Sequence, residues 1–480
     1  MDTSGIKAVA RLGMDRLVYP GKGRRIVVDV SGLVRWIGPP VGIIRVESEL
    51  ARAALRQPNA VLCLWDKKRG RFRSLSPKWV PLVTSWCGRI DASDFDANLT
   101  PKRRGWRRVV PSRQPIIMAL ERMRLSAQSD LASRVADGLQ RIILALRRHG
   151  FPLDDDQGRR ITSIVPYDLA VGDDIALAPS DSVLFASFDW YKQDLQAIAK
   201  LKTISDFRLV VICYDLIPLL FPEFFAAEDV ERFRKYWLQI MPVADLIIFN
   251  SRCIEADARR IASRFGLRLR STAVAPLGFD MPAQVQPPST LPGELSPGRY
   301  ALFVSTVEPR KGHAMLLRVW RKLLARNIPQ RNNFRLVFVG RPGWMVEDVL
   351  DEIGKASADG TVLWLKNIDD NELDNLYRAA AFCLYASCYE GFGLPIIEAF
   401  AHGKAVIASS GGALPETVGG LSPCLDPADE TAWEETMAEW IDRPQVRADY
   451  EARIRTEFSH MNWPDAARGI LKLAAGAGAA

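Results

Sequence analysis

The sequence predicts an α/β fold built from two doubly wound sheets, one in each half of the chain. Three observations lead there. From residue 300 onward, short apolar runs alternate with amphipathic stretches of helical period. The first half shows the same alternation, broken by a stretch at 91–174. Between the halves, residues 282–297 hold Pro282, Pro287, Pro288, Pro292 and Pro297 with little apolar content, which is linker composition. Strands separated by helices form right-handed βαβ units and a parallel sheet. The expected domains are 1–285, with 91–174 as a basic helical insertion, and 286–480, whose last helix returns to the first domain.

In the first half, residues 25–30 read as a strand carrying Asp29, and 42–55 as a helix. Residues 183–187, 209–213 and 246–250 are apolar runs of the buried-strand type, with helical stretches at 236–241 and 252–265. In the second half, strands are expected at 300–305, 334–339, 362–365, 382–386 and 405–408. Helices are expected at 314–325, 344–353, 370–379 and 395–402. The Ala/Gly-rich tail, 471–480, is expected to fray.

Composition bounds the function. The chain has 480 residues, 48% of them hydrophobic and 25% charged, which suits a globular protein and excludes disorder. The most apolar long run, 209–225, contains Asp215, Pro218, Pro222 and Glu223, so it reads as a strand entering a loop and not as a membrane span. Residues 1–25 are basic and lack the apolar centre of a signal peptide, so a cytoplasmic location is expected. Seven cysteines include no C-x-x-C pair, and four histidines show no ligand spacing, so no metal site is expected. The net charge of +8 is local. Residues 101–150 hold 12 Lys or Arg and 3 Asp or Glu, which leaves the remainder near neutral. That segment has Trp106 but no interleaved aromatics, so nucleic acid is not an expected partner. Within it, residues 134–148 place Val135, Leu139, Ile142, Ile143 and Leu146 on one helical face among arginines, a pattern that suits either an anionic membrane surface or packing on the sheet with the arginines solvated.

In doubly wound sheets, ligands bind beyond the carboxyl ends of the strands. Cys388-Tyr-Glu-Gly-Phe-Gly-Leu-Pro-Ile-Ile-Glu398 follows one such strand. Gly391 and Gly393 let backbone N–H groups come close to a ligand, and Pro395 opens a helix whose start attracts anions. Glu390 and Glu398 then bracket one ligand. The plainer reading makes Glu398 a charge complementing the helix dipole. Val307-Glu-Pro-Arg-Lys-Gly312 follows another strand, and Arg310 with Lys311 would meet a phosphate or diphosphate there. The plainer reading is a solvated basic loop. Asp215 stands just past the 209–213 strand, either facing the site or making a turn. Gly42 opens a helix after the first strand. Neither G-x-G-x-x-G nor a Walker A pattern occurs. Asp154-Asp-Asp156 reads as a solvated loop.

Glu390-Gly-Phe-Gly-Leu-Pro-Ile-Ile-Glu398 resembles the Glu-x7-Glu signature of the retaining glycosyltransferases of family 4. Segments 42–45, 214–222, 248–251, 276–280, 304–312, 339–344, 369–377, 412–416 and 425–427 match the same family in order. The resemblance implies two facing Rossmann-like domains of GT-B type with a cleft between them. It also implies a nucleotide-diphosphate sugar as donor, no cofactor and no essential metal. By position, Glu390 would contact the donor sugar and Glu398 the ribose. Gly391, Phe392, Gly393 and Leu394 would present backbone N–H groups, and Arg310 with Lys311 would hold the diphosphate. Gly42 would belong to the donor side. Two departures stand out. Ser305-Thr306 replaces a common Gly-Arg, and Tyr214 replaces a common His, which leaves Asp215 as the polar group there. The function implied is hexosyl transfer to a glycan or lipid-linked glycan acceptor in bacterial surface polysaccharide synthesis, in the cytoplasm or on the inner face of the membrane. The alternative is a sugar-nucleotide-binding partner of another glycosyltransferase without turnover of its own. The presence of Glu390, Lys311 and Glu398 together argues against it.

Overall fold

The computed structural model describes residues 24–35, 42–67, 69–80, 153–154, 160–161, 170–187, 194–281, 291–366 and 368–476. The expected helix within 101–150, the Pro-rich stretch 282–290 and Asp155–Asp156 lie outside the described residues. The chain divides into two compact units: Met1–Val210 with Ala474–Ala480, and Val211–Leu473. Among the described residues no helix is long and apolar enough to cross a membrane.

In the first unit, β1 (Ile26–Asp29) leads to helix α1 (Ile43–Leu55), β2 (Ala60–Asp66), β3 (Arg71–Leu75), β4 (Val171–Asp174) and β5 (Ser182–Phe185). β1 runs parallel to both β2 and β5. β2, β3 and β4 pair antiparallel. Three of these strands, β2, β3 and β4, are not among those expected from the sequence, although β2 is an apolar run buried at six of its seven positions. Arg71-Phe-Arg-Ser-Leu buries only Phe72 and Leu75 and carries two arginines, so it lacks the apolar run that marks a parallel strand. β4, Val171-Gly-Asp-Asp174, lies inside the stretch read as an insertion. Its acids are held by Arg71, 2.7 Å from Asp174, and Arg73, 3.2 Å from it.

The second unit begins inside β6 (Arg208–Cys213) and continues through α2 (Ala227–Ile240), β7 (Leu246–Phe249), α3 (Arg252–Arg264) and β8 (Thr272–Val274). β7 lies between β6 and β8. Then come β9 (Tyr300–Val304), α4 (His313–Ala325), β10 (Arg335–Val339), α5 (Glu347–Ala358), β11 (Val362–Leu365), α6 (Asp370–Ala379), β12 (Phe382–Tyr385), α7 (Leu394–Ala401), β13 (Val406–Ser409), α8 (Leu414–Val418) and β14 (Cys424–Leu425). These strands form one six-stranded sheet ordered β11-β10-β9-β12-β13-β14. Every pairing in it is parallel. In order of appearance this is 3-2-1-4-5-6, the doubly wound order expected. Its crossover direction reverses between β9 and β12, so the loops after those two strands open side by side.

The strands are legible because both faces are covered. Phe382-Cys-Leu-Tyr is buried at every position, and Tyr300, Leu302 and Phe303 are fully enclosed. Trp320, Trp433 and Trp440 fill the layer between sheet and helices. Each such ring removes enough apolar surface to stabilise the unit by about 2–3 kcal/mol. The expected fraying tail is corrected in part. Residues Trp463–Ala475 are helical, and Leu471 and Ala474 are fully buried, because the alanines there cover a core that a solvated tail would leave open.

Candidate functional site

The loops after β9 and β12 meet at the switch point, and the loop after β6 joins them. Pro309–Lys311 forms a single 3-10 turn that hands the chain to α4. This turn carries Lys311 inward, where it is only 9% exposed, so the solvated-loop reading does not hold. The Lys311 ammonium forms an ion pair with Glu390 Oε1 and stands 5.9 Å from the Tyr385 ring centre. Arg310 Nη1 lies 2.9 Å from Glu390 Oε2 and donates to the Tyr389 carbonyl at 3.1 Å. Arg310 Nη2 lies 3.2 Å from Glu308 Oε2. The peptide N–H of Cys388 donates to the Arg310 carbonyl at 2.7 Å, which ties the two loops together.

Electrostatics follow from this packing. Burial alone would raise the Glu390 carboxyl, but Arg310 and Lys311 outweigh it and hold the group down at about 2. Glu390 is therefore a carboxylate at any physiological pH. Burial pushes Glu308 above its ordinary value of 4.5 despite Lys311 and Arg310. Asp215 is raised from 3.8 by burial, against the pull of Arg310 and of the Ile217 N–H, which donates to Asp215 Oδ1 at 3.1 Å.

Gly391 is the contact between the β12 loop and the β6 loop. A methyl group added there would lie 2.1 Å from the Tyr214 carbonyl oxygen and 3.1 Å from Asp215 Cβ. The Gly391 carbonyl in turn accepts from Ser251 Oγ at 3.0 Å, at the end of β7. Gly393 takes φ +104°, a left-handed conformation that glycine adopts freely, and caps α7. Helix α7 starts at Leu394 with Pro395 in its first turn. Its leading N–H groups have no partners within the helix and face the loop side. Glu398 lies just past the first turn in which it was expected, because the helix begins one residue earlier, at Leu394. Its Oε2 accepts from Tyr377 OH at 2.8 Å.

Asp215, Arg310, Lys311, Glu390 and Gly391 thus converge, with Phe392, Gly393 and Leu394 continuing the same loop into α7. Glu398 sits on the body of α7, apart from the ion pairs. Gly42 stands in the first unit at the start of α1, with φ +49°. Among the described residues no group of three or more His, Cys, Asp or Glu could hold a metal ion.

Several participants carry no local signature. Glu308 stands inside the motif 307–312, but a carboxylate beside Arg and Lys reads as ordinary charge balance. Ser251 could be read only as a helix cap, which it also is, accepting from Ile254 N–H at 3.3 Å. Glu416 receives the Arg252 N–H at 3.0 Å, so the start of α3 is already occupied by a carboxylate. Tyr389 OH donates to Asp257. The Ser251–Gly391, Arg252–Glu416 and Tyr389–Asp257 contacts join residues more than a hundred positions apart.

Residues 293–457 match the family model described as "Glycosyl transferases group 1". The chain is 28% identical over 260 residues to O-antigen chain mannosyltransferase B of Escherichia coli, covering 53% of this chain and 67% of that one. It is 27% identical over 319 residues to the serotype-specific mannosyltransferase WbdA of Escherichia coli, covering 61% of this chain and 36% of the relative. The chain thus spans only about a third of the second relative's length. Among solved structures, Anabaena HepE in complex with UDP and glucose superposes with a TM-score of 0.55 at 16% identity, over 94% of this chain and 100% of that one. Sucrose-phosphate synthase from Thermosynechococcus elongatus superposes with a TM-score of 0.51 at 18% identity, over 94% and 98%. The fold is GT-B, and the family model and the mannosyltransferase relatives support a glycosyltransferase.

Proposed function

We propose that the chain transfers a sugar, mannose by analogy with its named relatives, from a nucleotide-diphosphate sugar to a glycan or lipid-linked glycan. The process is bacterial surface polysaccharide synthesis, and the enzyme is of the retaining family 4 type. The observation that carries this reading is Glu390 held between Arg310 and Lys311 at the switch point of a parallel sheet. Two cations and a helix start converge there, a setting suited to a diphosphate leaving group. As the glycosidic bond breaks, negative charge grows on the diphosphate. Arg310, Lys311 and the N–H groups of Gly391, Phe392, Gly393 and Leu394 meet it without reorganising. Glu390 contacts the donor sugar and Glu398 the ribose, while Asp215 supplies a polar group beside the reacting carbon. Gly42 is included in this reading as a donor-binding residue. Retention is tested on the product. Starting from an α-linked donor and an oligosaccharide acceptor, proton NMR is expected to show an α-linked product, and a β-linkage contradicts the reading.

Fixed cations carry the leaving charge in this scheme, so no divalent metal is needed. Turnover is expected to persist in excess EDTA. Activity that vanishes in EDTA and returns with Mg²⁺ or Mn²⁺ contradicts this.

The reading includes an anionic membrane surface as a partner of residues 101–150, whose charge is +9. Each basic residue near such a surface contributes about 1 kcal/mol. Sedimentation with vesicles is expected to rise with anionic lipid, fall with salt, and weaken when Arg103, Arg104, Arg107 and Arg108 become Ser. Equal sedimentation with neutral and anionic vesicles overturns it.

A further inference from the structure

The ion-pair cluster holds more carboxylates than its cations can serve once a donor arrives. Arg310 and Lys311 face Glu390, Glu308 and Asp215. A nucleotide-diphosphate sugar would bring two further negative charges to the same two side chains. One of the resident carboxylates must then give up its charge or its cation.

The three carboxylates are not equally placed. Glu390 has both cations, one on each oxygen. Asp215 accepts the Ile217 N–H at 3.1 Å, a backbone donor two residues along its own loop. Glu308 has a close ion pair with Arg310 only, with Lys311 facing it at longer range. Its Oε2 stands 3.2 Å from Nη2, but among the described residues it finds no aligned hydrogen-bond donor. Nor can Glu308 move to water. It is 9% exposed, and Gly343, in the loop after β10, packs over its stem so closely that an added methyl would come within 2.9 Å of Cγ. The charged groups facing it are Arg310 and Lys311 on its own segment, Glu390 after β12 and Asp215 after β6. Arg341, in the loop that carries Gly343, is exposed.

We infer that Glu308 is a positioning residue: it anchors the Arg310 guanidinium in the free protein and takes up one proton from solvent as the donor diphosphate claims Arg310. Resting on the donor reading above, this adds a proton to the binding equilibrium. Carboxylate, donor and one proton give the neutral acid with donor bound, and no covalent bond to the sugar changes. Burial has already moved this carboxyl upward, so the uptake falls above the ordinary carboxylate range. The sign is fixed by linkage. A complex that binds a proton weakens as pH rises, by up to about tenfold per pH unit between the free and bound pKa values.

The test is titration calorimetry of the full chain with GDP-mannose, and with UDP-glucose as a second diphosphate probe, in buffers of low and high ionisation heat at steps from about pH 5 to 8, read at the pH of greatest uptake. Both sugars are diphosphodiesters, so the ligand itself does not titrate in this range. The expected result is uptake of about half to one proton per donor bound, abolished in Glu308→Gln while binding persists and loses its pH dependence. The wild-type measurement stands alone if the variant does not fold. Binding without proton uptake, uptake that survives Glu308→Gln, or uptake removed by Asp215→Asn in its place overturns the inference and leaves the donor reading intact. Absence of binding by both probes overturns the two together.

Discussion

Replacing Lys311 by Met, or Glu390 by Gln, is expected to lower turnover by about 10²-fold or more, the cost of removing one fixed group that meets transition-state charge. The packing adds a condition on stability. Both side chains are about nine-tenths buried and paired with each other. Removing one partner of a buried pair costs about 3–5 kcal/mol when the other charge is left alone. Here Arg310 remains 2.9 Å from Glu390, so Lys311→Met should fall below that range, as a drop of several degrees in Tm. The double variant Lys311→Met/Glu390→Gln removes both charges and leaves Arg310 with Glu308. Its Tm is expected to recover most of the loss while its turnover stays at the level of the single variants. Thermal melts and steady-state rates on the four proteins decide. If turnover recovers together with Tm, the pair is a structural ion bridge and the catalytic assignment falls.

Gly391→Ala is expected to damage both folding and turnover. The added carbon would lie 2.1 Å from the Tyr214 carbonyl oxygen, and a backbone atom cannot rotate away. Either the loop after β12 lifts from the loop after β6, or the strand end carrying Asp215 shifts. The first movement breaks the Ser251 bond to the Gly391 carbonyl, and the second displaces Asp215 from Arg310. Overpacking of this kind costs about 1–3 kcal/mol or more. A displacement of about 1 Å at a reacting centre costs about 10²-fold in rate. Gly354→Ala is the control, since nothing lies within 4 Å of the added methyl and, like Gly391, it does not have a positive φ. Melting and turnover of the two variants separate crowding at the site from loss of a glycine. Equal effects would show that Gly391 is not a contact between the loops.

What the sequence made legible follows from burial. Strands covered on both faces must be apolar at every position, so β9, β10 and β12 stand out from their surroundings. Pro395 and the glycines around it punctuate the one loop where chemistry collects. β3 and β4 are only partly covered and carry Arg71, Arg73 and Asp174 as ion-pairing residues, so they resemble loops. The same logic applies at the site. Glu390, Arg310 and Lys311 belong to local motifs and could be picked out. That Lys311 is buried beneath a 3-10 turn, that Ser251 reaches Gly391, and that Glu308 shares Arg310 with Glu390 depend on chain crossings no local pattern encodes.

The central claim is that the Arg310–Lys311–Glu390 cluster receives the diphosphate of a sugar donor for transfer. The most direct measurement is release of free nucleoside diphosphate by the purified chain across UDP-, GDP-, dTDP- and ADP-sugars, with and without a mannose-terminated oligosaccharide. The account predicts acceptor-dependent release from one nucleotide sugar, a mannose donor first, and its loss in Lys311→Met/Glu390→Gln. Release that is unchanged in the double variant, or no release from any donor by a protein that is folded and offered acceptor, would contradict it.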